Sequence, residues 1–280
     1  MRLYKTSQGF VIENNESYFM SEHKDWDTFI NRENLFQVLL SEIENLKSSA
    51  EFEKIATKSN LAPIQNQEIW ASGVTYMRSK KARMEESKDS GGGDFYDRVY
   101  DADRPELFFK ATVGRVVGNN QNIRIRRDSK WNVPEPELTL FINSKGQISG
   151  YTVGNDVSSR DIEGENPLYL PQAKSYDKSA AIGPCIYVCE NPISPETEIK
   201  LDISRNNDIV FSESILINQM KRTHKELVKY LYEECTFQYG CFLMTGTGII
   251  PADEFTLVVG DVVEISIENI GTLRNTVETK

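Results

Sequence analysis

The stretch VPEPELTLFINSKGQISGYTVGND holds three carboxylates that could share one ion. Glu135 and Glu137 stand two residues apart before an apolar run, and Asp156 ends the run that follows the turn. In an extended chain residues i and i+2 point to the same face, so the two glutamates project together. Pro134 and Pro136 cannot donate to a ladder, which sets the segment at a strand's start or on a sheet edge. NSKG supplies turn residues, with Gly146 suited to positive φ. A two-residue turn at Lys145-Gly146 sets Glu135 opposite Asp156, whereas a three-residue loop Ser144-Lys145-Gly146 shifts Asp156 by one, and the sequence leaves both registers open. In either case three carboxylates crowd a small volume and repel unless a proton or a cation intervenes. All-oxygen ligands suit Mg²⁺, Mn²⁺ or Ca²⁺, while zinc favours nitrogen or sulfur. The bland alternative is a solvated acidic rim.

The elements that must position this hairpin are mostly strands. ELFFKAT, ELTLFI, GYTVGND, AIGPCIYV, EIKLDISRN, DIVFSESI and DVVEISIENIG alternate apolar and polar residues and stop at Gly, Asn or Pro. One clear helix interrupts them in THKELVKYLYEECTF, where Thr223 and Glu226 have capping-box spacing. Residues 1–62 read as a small unit: RLYKT, FVIEN and ESYFM as strands, then a helix with Leu35, Val38, Leu39, Ile43 and Leu46 on one face and Asn31 or Asn34 as its cap. Pro63 in NLAPIQNQ marks the boundary, and residues 63–280 form the second domain. The expected class is α+β, mostly β. SGGG at 90–93 is the one low-complexity run and would hinge a mobile segment.

The whole chain mainly excludes. A formal net charge of -10 over 280 residues argues against nucleic-acid backbones and anionic membranes as partners. No apolar run approaches bilayer length, and MRLYKTSQGFVIENNE lacks the apolar core of a signal peptide. Four cysteines in irregular spacing make no disulfide framework, and Cys185 and Cys189 read as small apolar residues on one strand face. The expectation is a reduced, cytoplasmic protein. No Gly-rich nucleotide fingerprint is present.

VPEPEL, GYTVGNDVSSRDIE, QAKSYDKSAAIGP and TGTGI, in this order, resemble the catalytic domain of the fumarylacetoacetate hydrolase superfamily from about Trp70 to Asp261. The resemblance implies a β-rich sandwich or roll in which Glu135, Glu137 and Asp156 hold Mg²⁺ (Mn²⁺ or Ca²⁺ being possible), with homo-oligomers, dimers or tetramers, as the usual assembly. It also implies Lys174 as an active-site lysine and Tyr76, Arg78, Ser79, Lys174 and Thr247 as substrate contacts. A lysine beside an oxyanion can stabilise charge or carry a proton.

Hydrolases of that superfamily use a histidine–glutamate pair to activate water, but here Ser79 stands where the histidine would fall. His23 and His224 are the only histidines, and His224, following the cap at Thr223, is expected to face solvent. YDRVY, RPE and SKW are instead similar to the 2-keto-3-deoxy-D-arabinonate dehydratase branch, which implies Glu106 as the proton-transfer residue. The implied reaction is dehydration of a 2-keto-3-deoxy sugar acid to 2,5-dioxopentanoate through a metal-stabilised enolate. The alternatives are hydrolysis of an acylpyruvate or a 2,4-diketo-3-deoxy sugar acid, with Glu85, Glu86 or Glu106 activating water, and a non-catalytic protein that binds metal or sugar acid.

Overall fold

In the computed structural model, which describes residues 1–86 and 93–280, the carboxylate hairpin lies at the centre of a ten-stranded sheet. Strand Pro136–Ile142 pairs antiparallel with Ile148–Asp156 on one side and with Cys241–Met244 on the other. Pro136 is therefore not on an edge; it stands at the first position of an inner strand, where its missing N–H costs least. Beyond Cys241–Met244 come Glu68–Gly73 (parallel) and Glu106–Ala111 (antiparallel). On the other flank Ile148–Asp156 pairs with Ala180–Tyr187, which is joined by Arg2–Thr6, then Gly9–Asn14 and Ser17–Met20.

The inner strand is buried on both faces, and its alternation divides the core. Leu138, Leu140 and Ile142 pack towards a second sheet of five strands, against Leu201, Ile203, Val263 and Ile265. Phe141 points the other way, to Phe242, Ile182, Trp26 and Phe29. That second layer is helical: Trp26–Ile30 and Leu35–Ile43 cover the sheet, and Trp26 Nε1 donates to the Pro63 carbonyl at 3.0 Å. Asp27 accepts from Asn66 Nδ2 at 2.6 Å and Gln67 Nε2 at 2.8 Å, which ties this layer to the start of strand Glu68–Gly73.

The strands expected from alternation are present, and so is the full capping box at Thr223 and Glu226 on helix His224–Tyr232. Other helices were not anticipated: Met77–Glu86, Gly93–Asp101, Arg160–Glu165 and Leu170–Lys174 all lie after residue 63. Each is short or charge-rich, so tertiary packing rather than a strong periodic pattern holds it. Asn34 does occupy the helix cap, but in a left-handed conformation with no side-chain capping bond; Asn31 instead accepts from Ser144 N at 2.7 Å, gripping the hairpin loop. Ser90, Gly91 and Gly92 of the SGGG run lie outside the described residues, as do the side chains of Glu85 and Glu86.

Both hairpin registers occur, each in its own part. At the turn Ile142 faces Ile148 around the three-residue loop Ser144-Lys145-Gly146, and the ladder shifts by one before Gly150. From there Phe141 pairs with Gly150 and Glu137 with Gly154. The bulge at Ser149 thereby restores the pairing of a two-residue turn, and Asp156 N donates to the Glu135 carbonyl at 3.0 Å. Among the described residues no helix is long and apolar enough to cross a membrane.

Candidate functional site

Glu135, Glu137 and Asp156 are all buried, and each offers a carboxylate oxygen within 4.8 Å of the others. Two of them come from one strand end and the third from its antiparallel neighbour, so the register set by the bulge is what brings them together. Burial, and the charges of Asp156 and Glu135, push the Glu137 carboxyl well above the usual carboxylate range. One donor opposes that shift: Gly246 N reaches Glu137 Oε2 at 2.5 Å. Gly246 has φ +91°, and a Cβ there would lie 2.0 Å from Thr75 Oγ1, so the TGTG turn needs glycine at this position.

Lys174 ends the short helix Leu170–Lys174 and is 1% exposed. Its Nζ donates to Glu135 Oε2 at 2.8 Å, Asp156 Oδ2 at 3.2 Å and Ser158 Oγ at 2.5 Å. Glu106, Ser79 and Thr247 line the same cleft, with Glu135, Asp156, Arg160, Glu163 and Lys174. Thr247 Oγ1 accepts from Ile249 N at 3.1 Å, which fixes its turn.

The structure leaves two expected contacts away from that lining. Arg78 is exposed and clamps Glu213 at 2.7 and 3.1 Å, on the edge of the five-stranded sheet. Tyr76 is buried behind the cleft, its hydroxyl pushed up by burial and by the charge of Glu137, and its backbone N–H holds Ser79 Oγ at 3.2 Å. His224 is not solvent-facing: it packs near the Tyr151 ring, and burial pushes its pKa down to about 4. The ring is half-buried, its centroid 6.3 Å from that of Tyr151 on the hairpin's second strand.

Four residues were not anticipated. Lys110 is fully buried, with Nζ 2.5 Å from Asp156 Oδ1 and donating to the Val157 carbonyl at 3.1 Å and to the Lys174 carbonyl. Burial lowers its pKa, and Asp156 opposes that. Its signal was a lysine inside the otherwise apolar LFFKA strand. Arg160 donates to Glu135 Oε1 at 3.1 Å, and Glu163 stands 4.0 Å from Lys174 Nζ. Their three-residue spacing places both on one side of helix Arg160–Glu165. Ser158, the acceptor for Lys174, sits in the same SSRD motif.

The donor set fits a divalent cation. Counted as ionised, Glu106, Glu135, Glu137, Asp156 and Glu163 bring five formal negative charges to this cleft, against three formal positive charges on Lys110, Lys174 and Arg160. Two negative charges are left over in a buried, all-oxygen cluster, which suits a hard 2+ ion.

The chain is similar to known proteins over most of its length. Residues 68–278 match the fumarylacetoacetate (FAA) hydrolase C-terminal family. A probable 2-keto-3-deoxyxylonate dehydratase of Haloferax volcanii is 49% identical over 218 residues, covering 78% of this chain and 74% of that protein. The 2-dehydro-3-deoxy-D-arabinonate dehydratase of Saccharolobus solfataricus is 44% identical over 213 residues, 75% of this chain and 72% of its own length. A solved 2-keto-3-deoxy-D-arabinonate dehydratase complexed with magnesium and 2,5-dioxopentanoate aligns with a TM-score of 0.83 at 33% identity, covering 100% of this chain and 99% of that one. The carboxylate hairpin, the buried lysine and the glycine turn thus sit in a chain that belongs to the fumarylacetoacetate hydrolase family.

Proposed function

We propose that residues 63–280 form the catalytic part of a metal-dependent hydro-lyase that dehydrates a 2-keto-3-deoxy sugar acid, 2-keto-3-deoxy-D-arabinonate, to 2,5-dioxopentanoate. The observation that carries this is the acidic cleft: three facing carboxylates, with Lys174 among them and Glu106 in the lining of the same cleft. Glu135, Glu137 and Asp156 would hold Mg²⁺, with Mn²⁺ or Ca²⁺ as substitutes. When bound, such an ion lowers the cost of negative charge on the carbonyl oxygen of a 2-oxo acid.

Glu106 takes a proton from C3, and the electron pair of that C–H bond becomes the C3–C4 double bond as the C4–O bond breaks. Lys174 supplies the proton that turns the departing hydroxide into water. Glu106 then returns its proton to C3 as C5 gives one to Lys174, which restores both residues, and the resulting C4–C5 enol gains a proton at C4 as its O–H loses one, giving the aldehyde. Ser79 and Thr247 orient the acid from the cleft wall. No redox step occurs, so no nicotinamide or flavin is consumed. The enzyme works as a cytoplasmic homo-oligomer in this proposal.

Turnover of 2-keto-3-deoxy-D-arabinonate with Mg²⁺, read as aldehyde through a coupled dehydrogenase, tests it. Aldehyde formation that chelator stops is expected. Cleavage of acetylpyruvate without dehydration of the sugar acid would replace the dehydratase with a hydrolase.

A further inference from the structure

Resting on the metal site proposed above, we propose that Lys110 is a positioning residue that confines Asp156 to a single ligating oxygen and so sets which divalent ion the cluster prefers. Asp156 has two carboxylate oxygens, and the structure divides them. Oδ1 is 2.5 Å from Lys110 Nζ, while Oδ2 faces Lys174 at 3.2 Å, on the side shared with Glu135. Lys110 cannot turn away from this contact. It is 0% exposed, its Nζ also donates to the carbonyls of Val157 and Lys174, and the Tyr176 ring centroid lies 6.0 Å from the ammonium.

Those anchors come from two separate segments: the loop that leaves the hairpin and the end of helix Leu170–Lys174. One ammonium therefore fixes both the orientation of the Asp156 carboxylate and the backbone of Lys174. With Oδ1 held in the ion pair with Lys110, Asp156 turns one oxygen to the cluster, and the three carboxylates offer a small, rigid ligand set. Mg²⁺ keeps near-ideal octahedral coordination with few protein ligands, whereas Ca²⁺ accepts more oxygens and bidentate carboxylates. The lysine thereby favours the smaller ion. Removing it frees Oδ1 and adds one net negative charge to the cluster, and both changes help Ca²⁺ more than Mg²⁺.

The experiment is a pair of calorimetric titrations, MgCl₂ and CaCl₂, on the full chain and on Lys110→Met. The expected result is a Ca²⁺/Mg²⁺ affinity ratio raised by about tenfold or more in the variant, the scale on which residues behind a metal ligand act. Equal changes for both ions would make Lys110 a structural residue only and overturn the proposal. Because Lys110→Met leaves Asp156 buried without its partner and can prevent folding, the wild-type protein soaked in MnCl₂ gives a second readout by crystallography. Oδ1 on Lys110 and Oδ2 alone on the ion is expected; both oxygens on the ion would overturn the proposal. Absence of any ion binding in the wild type would sink the metal site and this inference together, whereas an unchanged ratio sinks only the role of Lys110.

Discussion

Gly73 lies directly beneath the carboxylate of Glu106. The two are cross-strand partners, and a Cβ on Gly73 would sit 2.1 Å from Glu106 Oε2. The proposed base is therefore seated on a bare backbone. Gly73→Ala is expected to lower kcat by about 100-fold, because a displacement of about 1 Å at a reacting group costs that much. The melting temperature should stay near that of the wild type, since the glutamate can swing outward. Steady-state kinetics beside a thermal melt checks it, and wild-type kcat would mean that the seat is irrelevant.

Glu106→Gln keeps the volume and removes the proton acceptor. Turnover should fall below detection while Mg²⁺ binding by calorimetry is unchanged. Near-normal turnover would take Glu106 out of the mechanism.

Glu137→Gln separates stability from activity. The buried Glu137 carboxyl is pushed up by burial and by Asp156 and Glu135, so its ionisation destabilises the metal-free fold at neutral pH. A neutral isostere relieves that cost. The variant should therefore melt higher than wild type in EDTA, yet show no further rise on adding Mg²⁺ and no turnover. A lower melting temperature in EDTA would contradict the repulsion argument.

His224 gives a pH dependence of known sign. Its pKa is about 4 in the fold, against an ordinary value near 6.5, because burial disfavours the charged ring. The unfolded chain thus binds the proton first, and stability falls as pH drops from about 6.5 to about 4, by at most about 3 kcal/mol. Above that window the group contributes nothing. His224→Phe should flatten this part of the curve of melting temperature against pH, and parallel curves for the two proteins would refute it.

Thr223→Ala removes the hydroxyl that accepts from Glu226 N at 3.2 Å in the capping box. Urea denaturation should show a loss of about 1 kcal/mol with no change in Mg²⁺ affinity.

The hairpin and its carboxylates were legible because three independent signals agreed there: two prolines, an i, i+2 pair and a turn. Its register was not, because the bulge adds one ordinary polar residue, Ser149, and the Gly150 that follows it fits either register. Lys110 was hidden for a related reason. A lysine in a strand reads as solvent-facing unless its partner is known, and Asp156 is 46 positions away in sequence. Arg160 and Glu163 stood inside a motif noticed for its other residues. The short helices after residue 63 escaped because their ends are set by what they touch: Lys221 and Arg222, for example, donate to the carbonyls at the end of helix Gly93–Asp101.

The first strand has a consequence for any attempt to isolate the part that matches the family. Arg2–Thr6 pairs with the end of Ala180–Tyr187, at Ile186 and Tyr187, in a strand that is mostly buried and rich in apolar residues. A chain trimmed to begin near residue 63 would leave the outer N–H and C=O groups at the Ile186–Tyr187 end of that strand facing water. Such an edge is a template for a second chain. Trimming would thus trade a folded sheet for self-association, and light scattering, more than activity, would register the loss of the opening segment.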